Sequence, residues 1–373
     1  MAIRIMLVLA LASAAFGQDK RKELPPPVEQ AAIDKAIKKG VEHLRRTHPA
    51  DPMHPGLQDE LVLWTLVHAG VPETDEHFAA LLKAMTERRL SRTYPVALQA
   101  MILEELDRVA WQWRIAQCAQ FLVDNQSAHG FWSYGEALKD DTPTGAAKPK
   151  DVATGAAKAK DTPAGPRTKP KVVKTIEVKR RPHATPLDGD NSNSQYAMLG
   201  LRACHDAGVR LPAATADSAR RYWESQQCDD GGWLYHSHHP GRATYGSMTA
   251  GGVGSLLLCA YLQSSDPKSA AVKRGVDWLA ANFAVDRNPG APDPATWHHY
   301  WLYGLERAAI FHGSEKIGAH WWYSEGAKHL LATHKPDLAW VSVEDTCFAI
   351  LFLARGTRPL QDVATESAAD KRK

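Results

Sequence analysis

This sequence of 373 residues has few cysteines, a small net charge and no long apolar run, and each of these features argues against a class of protein. Five cysteines are an odd number and too few for a small disulfide-stabilised fold. Basic residues number 45 and acidic residues 42, so the net charge of +3 does not indicate a nucleic-acid-binding protein. No apolar stretch is long enough to span a bilayer as a helix, and no run alternates clearly enough to predict a β-strand.

The first seventeen residues have the pattern of a secretory signal peptide. Arg4 supplies a positive charge before the largely apolar run 5–16, which is too short for a membrane anchor. Ala15 and Gly17 are small residues of the kind that a signal peptidase requires, so we predict cleavage before Gln18. An uncleaved anchor is the alternative. We therefore expect a mature chain without a transmembrane segment, located outside the cytoplasm in a periplasmic or secreted form.

Residues 139–187 differ in composition from the sequence on either side. They contain three similar ten-residue units, starting at Asp141, Asp151 and Asp161, and no aromatic residue. Such a composition buries too little apolar surface to offset the entropy of ordering, which predicts a disordered insertion, with a disordered tail over 359–373. The insertion has 12 basic and 5 acidic residues, a net charge of +7, whereas the rest has 33 and 37, a net charge of −4. Contact with an anionic surface is one interpretation, and a solubilising insertion is the other.

The two parts that remain, 28–138 and 188–358, predict a single all-α domain. Twelve helical segments alternate between an amphipathic kind with a charged face and a kind that is apolar nearly all round. Because a helix that is apolar on every side is buried on every side, six buried helices should form an inner ring. Six half-exposed helices should surround it. The sequence thus predicts an (α/α)6 toroid of six inner and six outer helices.

One motif of the form Q-x-x-x-G-x-W occurs twice, at 126–132 and at 227–233. Each copy closes an amphipathic helix. The glycine provides a tight turn, the tryptophan folds back, and the glutamine amide can bond the freed backbone groups. The two glutamines are 101 residues apart, or 52 without the 49-residue insertion, which is the length of one repeat.

This paired motif on alternating helices resembles that of the squalene–hopene cyclase and protein prenyltransferase superfamily, the terpenoid cyclase-type α/α toroids. The resemblance covers 28–358 outside the insertion. It implies the toroid fold and a structural role for the motif, which ties outer helices together in that superfamily. The residues that would carry this role are Gln126, Gly130, Trp132, Gln227, Gly231 and Trp233.

In the class II terpene cyclases of that superfamily, a D-x-D-D motif at the start of an inner helix protonates the substrate. Residues 188–191 read D-G-D-N, which is similar to this motif with asparagine in the last place. The resemblance implies a catalytic group of Asp188, Asp190 and Asn191, with Asp190 as the proton donor, although one carboxylate fewer weakens the repulsion that raises its pKa. The alternative is that Asp190 only caps the helix.

Protein prenyltransferases instead bind zinc through a D-x-C motif and a later histidine. Asp345 and Cys347 fit D-x-C at the start of the last inner helix, but no histidine follows Cys347 in the chain. A thiolate–zinc site also suits a reducing compartment better than an exported protein. We therefore predict no metal and no cofactor.

In a toroid the N-termini of the inner helices converge on one face, around a central cavity. Polar and aromatic residues in their first turns should then face one another and form a concave ligand site. The alternative is that each residue caps its own helix. The predicted ligand-binding residues are Asp59, Tyr94, Asn193, Gln195, Thr249, Trp297, His298, His299, Glu344 and Asp345.

These observations predict an exported toroid protein that binds a small molecule or a polymer in its central cavity, without standard cyclase or prenyltransferase activity. An acid catalyst using Asp190 is one alternative, and it requires a deep, apolar cavity with aromatic walls. A carbohydrate-active lyase or hydrolase is another, and it requires an open groove with an acid–base pair. An interaction scaffold that acts through 139–187 is the third.

Overall fold

A computed structural model of the chain describes residues 24–48, 58–145, 169–185, 187–236, 243–293, 295–335 and 339–360. Within these ranges the protein is all-α, with twelve helices and two strands of two residues each. All twelve predicted helices are present. No helix in the described ranges has the length and apolar character needed to cross a membrane. The predicted signal peptide, 1–17, and residues 361–373 of the predicted tail lie outside the described residues.

Six helices are buried on nearly every side. In the fourth of them, every residue from Gly246 to Ala260 is buried, because the segment consists of apolar and small side chains. Small residues let neighbours approach closely, and a Cβ atom added at Gly252 would lie 2.5 Å from the Trp233 ring. The buried helices are α2 (Asp59–His68), α4 (Thr93–Asp107), α6 (Asn191–Asp206), α8 (Gly246–Leu262), α10 (His298–His312) and α12 (Val343–Leu353).

The other six helices are peripheral, and most bury a single stripe of side chains. The second of them buries Phe78, Leu81 and Met85, which share one helix face at intervals of three and four residues. The peripheral helices are α1 (Gln30–Thr47), α3 (Glu76–Glu87), α5 (Gln112–Asp124), α7 (Ala213–Ser225), α9 (Ala270–Ala281) and α11 (Trp322–Thr333).

The buried helices contact one another in a closed cycle. Helix α2 packs on α4, α4 on α6, α6 on α8, α8 on α10, α10 on α12, and α12 packs back on α2. Each peripheral helix makes its main contacts with one or two members of this cycle. Along the chain, apolar and amphipathic helices therefore alternate between the central cycle and the periphery.

Residues 169–185, which begin near the end of the third ten-residue unit, pack against the helices. Residues Ile176–Glu177 form β1, which pairs in parallel with β2 (Val209–Arg210), and Val178 is buried. Lys169 forms ion pairs with Glu104 at 2.5 Å and with Glu105 at 2.9 Å. Residues 169–185 thus contact the helical part of the fold, whereas the sequence predicts disorder throughout 139–187. Residues 146–168 lie outside the described residues.

This packed segment also changes the environment of α5. The Gln112 amide donates to the carbonyl of Lys174 at 2.6 Å, and the Gln120 amide donates to that of Lys179 at 2.9 Å. Covered in this way, α5 is buried over most of its surface, whereas the sequence predicts a half-exposed helix. The charged face that the prediction assigns to solvent is thus partly occupied by residues of the same chain.

Candidate functional site

A cavity of about 690 Å³ lies where the first turns of the six buried helices meet. Its volume is within the range of pockets that hold small organic ligands. Every buried helix contributes to the wall from a position near its N-terminus. One such residue from each helix, in chain order, is Glu60, Tyr94, Asn193, Met248, Tyr300 and Phe348.

The wall of this cavity is predominantly apolar and rich in aromatic rings. Aliphatic side chains such as Leu61, Leu98 and Met248 fill much of the remaining surface. In the described part of the chain, the ionisable wall residues other than tyrosine are Glu60, Arg92, Asp293 and Glu344. The aromatic wall residues are Tyr94, Tyr134, Tyr196, Tyr235, Tyr245, Trp297, Tyr300 and Phe348.

Three hydroxyl groups meet in one part of the wall. The Tyr94 hydroxyl lies 2.6 Å from the Ser192 hydroxyl and 2.9 Å from that of Tyr300, and the last two are 3.0 Å apart. The Gln195 amide donates a further hydrogen bond to the Tyr300 hydroxyl at 2.6 Å. Burial raises the pKa of both Tyr94 and Tyr300, so the cluster is neutral at physiological pH. It can therefore exchange hydrogen bonds with a ligand oxygen without carrying charge.

A buried guanidinium group supports this cluster. Arg307 lies over the ring of Tyr303, with its Cζ 4.2 Å from the centroid, and over that of Tyr196 at 5.3 Å. It also donates to the Gln195 side-chain oxygen at 3.2 Å. The Tyr196 ring in turn stacks on Tyr94 at a centroid distance of 4.0 Å. Cation–π contacts thus hold the rings beneath the hydroxyl cluster in place.

An acidic pair begins α2 at another part of the wall. Arg88 donates to one oxygen of Glu60 at 2.8 Å and to one of Asp59 at 2.5 Å. The second Glu60 oxygen, Oε2, has no hydrogen-bond partner in the described part of the chain. Burial raises the pKa of Glu60. Burial acts in the same direction on Asp59, but hydrogen bonds from His48 and Arg88 outweigh it and lower the pKa of that carboxyl group.

Four of the predicted ligand-binding residues line the cavity: Tyr94, Asn193, Trp297 and Glu344. Gln195 lies behind the wall and reaches it through the Tyr300 hydroxyl. Trp297 is exposed and has a φ of +57°, a left-handed conformation that is unusual for a bulky residue.

The predicted catalytic group does not meet at the cavity. Asp190 caps α6, since one carboxylate oxygen accepts from the Asn193 backbone N–H at 2.7 Å and the other from the Asn193 amide at 2.8 Å. The Asn191 amide donates to the carbonyl of Leu234 at 2.7 Å, and Asp188 is exposed. None of the three lines the cavity. This geometry corresponds to the capping alternative.

The remaining predicted residues are directed at partners within the fold. The Thr249 hydroxyl accepts from the Trp233 backbone N–H at 3.2 Å, and His298 bonds a backbone carbonyl at 2.8 Å. The His299 ring nitrogen Nδ1 lies 3.0 Å from an Asp345 carboxylate oxygen. Asp59 is held by Arg88, as described above. None of these five predicted residues contributes to the cavity wall.

Several aromatic wall residues are absent from the predicted set. Tyr196 follows Asn193 by three positions, Tyr300 follows Trp297 by three, and Phe348 follows Glu344 by four. These intervals place each aromatic residue on the same helix face as the polar residue before it, one turn deeper. The helical period could therefore have located them.

The two Q-x-x-x-G-x-W motifs have the same hydrogen bonds. The Gln126 amide donates to the carbonyls of Gly130 at 3.1 Å and Thr215 at 3.0 Å. The Gln227 amide donates to those of Gly231 and Ala271, both at 2.9 Å. Each amide therefore joins the end of one peripheral helix to the first turn of the next, α5 to α7 and α7 to α9.

The glycine and the tryptophan of each motif are also equivalent in the two copies. Gly130 has a φ of +96° and Gly231 one of +89°, and a Cβ atom at either position would overlap a backbone carbonyl of the next peripheral helix. The Trp132 and Trp233 indole groups donate to backbone carbonyls of the preceding helix at 2.7 and 2.9 Å.

The D-x-C residues do not converge on one point. Asp345 faces His299, whereas the buried Cys347 thiol interacts with Thr65. Among the described residues no group of three histidine, cysteine or acidic side chains could hold a metal ion. All five cysteines are free, and only Cys228 is not fully buried.

No protein-family model matches this sequence. A search of curated proteins finds no significant match either.

Proposed function

We propose that the chain forms an (α/α)6 toroid of the terpenoid cyclase type and binds an apolar small molecule in its central cavity. The closed cycle of contacts among α2, α4, α6, α8, α10 and α12 supports the toroid. The paired Q-x-x-x-G-x-W geometry supports the relationship to that superfamily. We also propose, from the pattern of residues 1–17, that the protein is exported.

The aromatic wall is the observation that carries the binding function. A cavity of about 690 Å³ between the helix starts, with eight aromatic residues among the described part of its wall, offers an apolar ligand a surface on which to remove its own apolar area from water. Aromatic rings offer large, rigid contact surfaces to such a ligand.

The same wall suits the acid catalyst that is the first alternative. Asp190, however, has both carboxylate oxygens engaged by Asn193 and lies outside the cavity wall. We therefore favour binding over acid catalysis by this residue. A scaffold acting through 139–187 is also less favoured, because Lys169 contacts the last turn of α4, at the opposite end of that helix from the cavity.

Calorimetric titration with 1-decanol, a neutral apolar probe, tests the proposal. Leu98→Trp places a large side chain in the cavity wall and should lower the affinity at least tenfold, roughly 1.4 kcal/mol. The matched control is Leu211→Trp, which changes a residue of a separate surface groove beside α7 and should leave binding unchanged. Absence of binding to the natural sequence, or equal binding to both variants, would contradict the proposal.

A further inference from the structure

We infer that the central cavity selects apolar ligands that carry a cationic ammonium head group. This inference rests on the proposed function, since it takes the same cavity as the ligand site and adds the chemical class of the ligand. It depends on where the few charged groups of the wall lie.

The charged side chains of the cavity wall are mostly acidic. Among the described residues of the wall, Glu60, Asp293 and Glu344 are accompanied by one basic residue, Arg92, and these four side chains have a formal charge of −2. Carboxylates in a wall that is otherwise apolar are costly to desolvate, and a ligand of opposite charge offsets that cost.

Within the described ranges, the Glu60 carboxylate has a hydrogen-bond partner on only one of its two oxygens. Its side chain is only 2% exposed, and Arg88 bonds one carboxylate oxygen at 2.8 Å, while Oε2 has no partner among the described residues. Arg88 is also shared with Asp59, so one guanidinium faces two carboxylates. A cationic ammonium group in the cavity would offset the remaining negative charge by electrostatic attraction, which requires no N–H donor.

Glu344 lies on the helix next to that of Glu60 in the cycle. The Gln58 amide donates to one of its oxygens and so connects the starts of α12 and α2. Phe348, one turn deeper on α12, has its ring 5.3 Å from that of Tyr300. A cation at this side of the cavity meets carboxylates on two helices and aromatic rings beneath them, the combination that binds quaternary ammonium groups.

The helix dipoles determine which end of the cavity suits the cation. Six helix N-termini point at the cavity, and their positive ends disfavour a cation. Acidic residues occupy the first turns of α2 and α12, whereas the first turns of α4, α6, α8 and α10 contain none. The head group therefore belongs beside α2 and α12, with the apolar part of the ligand directed towards α6 and α8.

Three probes with the same ten-carbon chain test the inference: decyltrimethylammonium, 1-decanol and decanoate, each titrated calorimetrically below its micellar concentration. The cation should bind at least tenfold more tightly than the alcohol. Glu60→Gln should remove most of this preference, because it weakens binding of the cation more than binding of the alcohol. The matched control is Glu76→Gln, because Glu76 is exposed in the first turn of the peripheral helix α3 and should not affect any probe.

Glu344→Gln provides a second variant, since Glu344 is partly exposed and its replacement threatens the fold less than that of a buried residue. It should also weaken cation binding selectively. Equal binding of the cation and the alcohol, or tighter binding of decanoate, would overturn the inference and leave the apolar site intact. If none of the three probes binds, the proposed function fails together with the inference.

Discussion

Asp190→Ala is expected to lower the free energy of unfolding by about 1.5–2.5 kcal/mol. The substitution removes the N-cap of α6, which costs about 1 kcal/mol in typical proteins. It also removes the acceptor of the Asn193 side-chain amide, a further loss of about 0.5–1.5 kcal/mol. Asp190 is only 3% exposed, so water cannot easily replace either bond.

Asp190→Asn should cost much less, about 0.3–1 kcal/mol, because asparagine is an equally good N-cap. Its side-chain oxygen can accept from the Asn193 backbone N–H. The new amide can bond the Asn193 side-chain oxygen after a rotation of that amide, since this oxygen has no partner among the described residues. Only the interaction of the negative charge with the helix N-terminus is then lost.

Urea unfolding with linear extrapolation measures both variants, and decanol titration measures whether the cavity is affected. Asp188→Asn is the control, because this neighbouring carboxylate is exposed and should change neither quantity. If Asp190→Asn destabilises as much as Asp190→Ala, the hydrogen-bond account is wrong. If it folds normally but loses ligand binding, Asp190 acts in the cavity and the capping role is insufficient.

Three further outcomes follow from the structure. Gln126→Leu should lower the free energy of unfolding by about 1–3 kcal/mol, because it removes two buried hydrogen bonds, and Gln227→Leu should cost less because Gln227 is half-buried; equal losses in urea unfolding would contradict this ranking. Trp297→Gly should stabilise the fold by about 0.5–1 kcal/mol by relieving the left-handed backbone, yet weaken decanol binding, and an unchanged melting temperature would argue against strain at this site. Burial raises the pKa of Glu306 from 4.5 to about 7, so the folded protein favours the protonated form of this side chain. Its contribution to the free energy of unfolding is therefore complete below pH 4.5 and is lost as the pH rises through about 7. Glu306→Gln should remove about 3 kcal/mol of this pH dependence, and identical stability profiles from pH 4.5 to 8 for both proteins would refute the assignment.

The helices could be predicted from the sequence because the buried and the peripheral kind differ in the periodicity of their apolar residues. Helix α8 is apolar on every side, and its burial follows directly from that pattern. Errors occur at helix starts, where periodicity is weakest. Helix α7, for example, begins at Ala213, directly after Pro212, and the small residues of its first turn do not distinguish a buried face from an exposed one.

The packing of residues 169–185 could not be predicted from composition, because the segment 139–187 as a whole is polar and lacks aromatic residues. Two buried or half-buried apolar side chains, Ile176 and Val178, alternate with the polar Glu177 and Lys179. This is the period of a strand, but it extends over too few residues to stand out in a long polar segment. The pairing with β2, from another part of the chain, supplies the stability that local sequence does not show.

A cavity at the starts of the buried helices could be predicted from the sequence, but the orientation of each polar side chain could not. A polar residue in a first turn can satisfy its own helix or face a ligand, and the spacing is the same in both cases. Asp190 does the former and Glu344 contributes to the cavity wall. Tertiary contacts decide between the two, and these depend on residues far away in sequence.

The loops that cap the buried helices also form part of the cavity wall, and this links binding to stability. The first N–H of α4, from Thr93, donates to the Tyr134 carbonyl at 2.7 Å, and that of Ser247 in α8 donates to the Asn288 side chain at 3.0 Å. Tyr134 and Asn288 both line the cavity. Because unfolding of these helix starts also dismantles the wall, a cavity ligand should bind only the folded protein. A ligand at a hundred times its Kd should then add about 2.7 kcal/mol to the free energy of unfolding, which a thermal shift would detect.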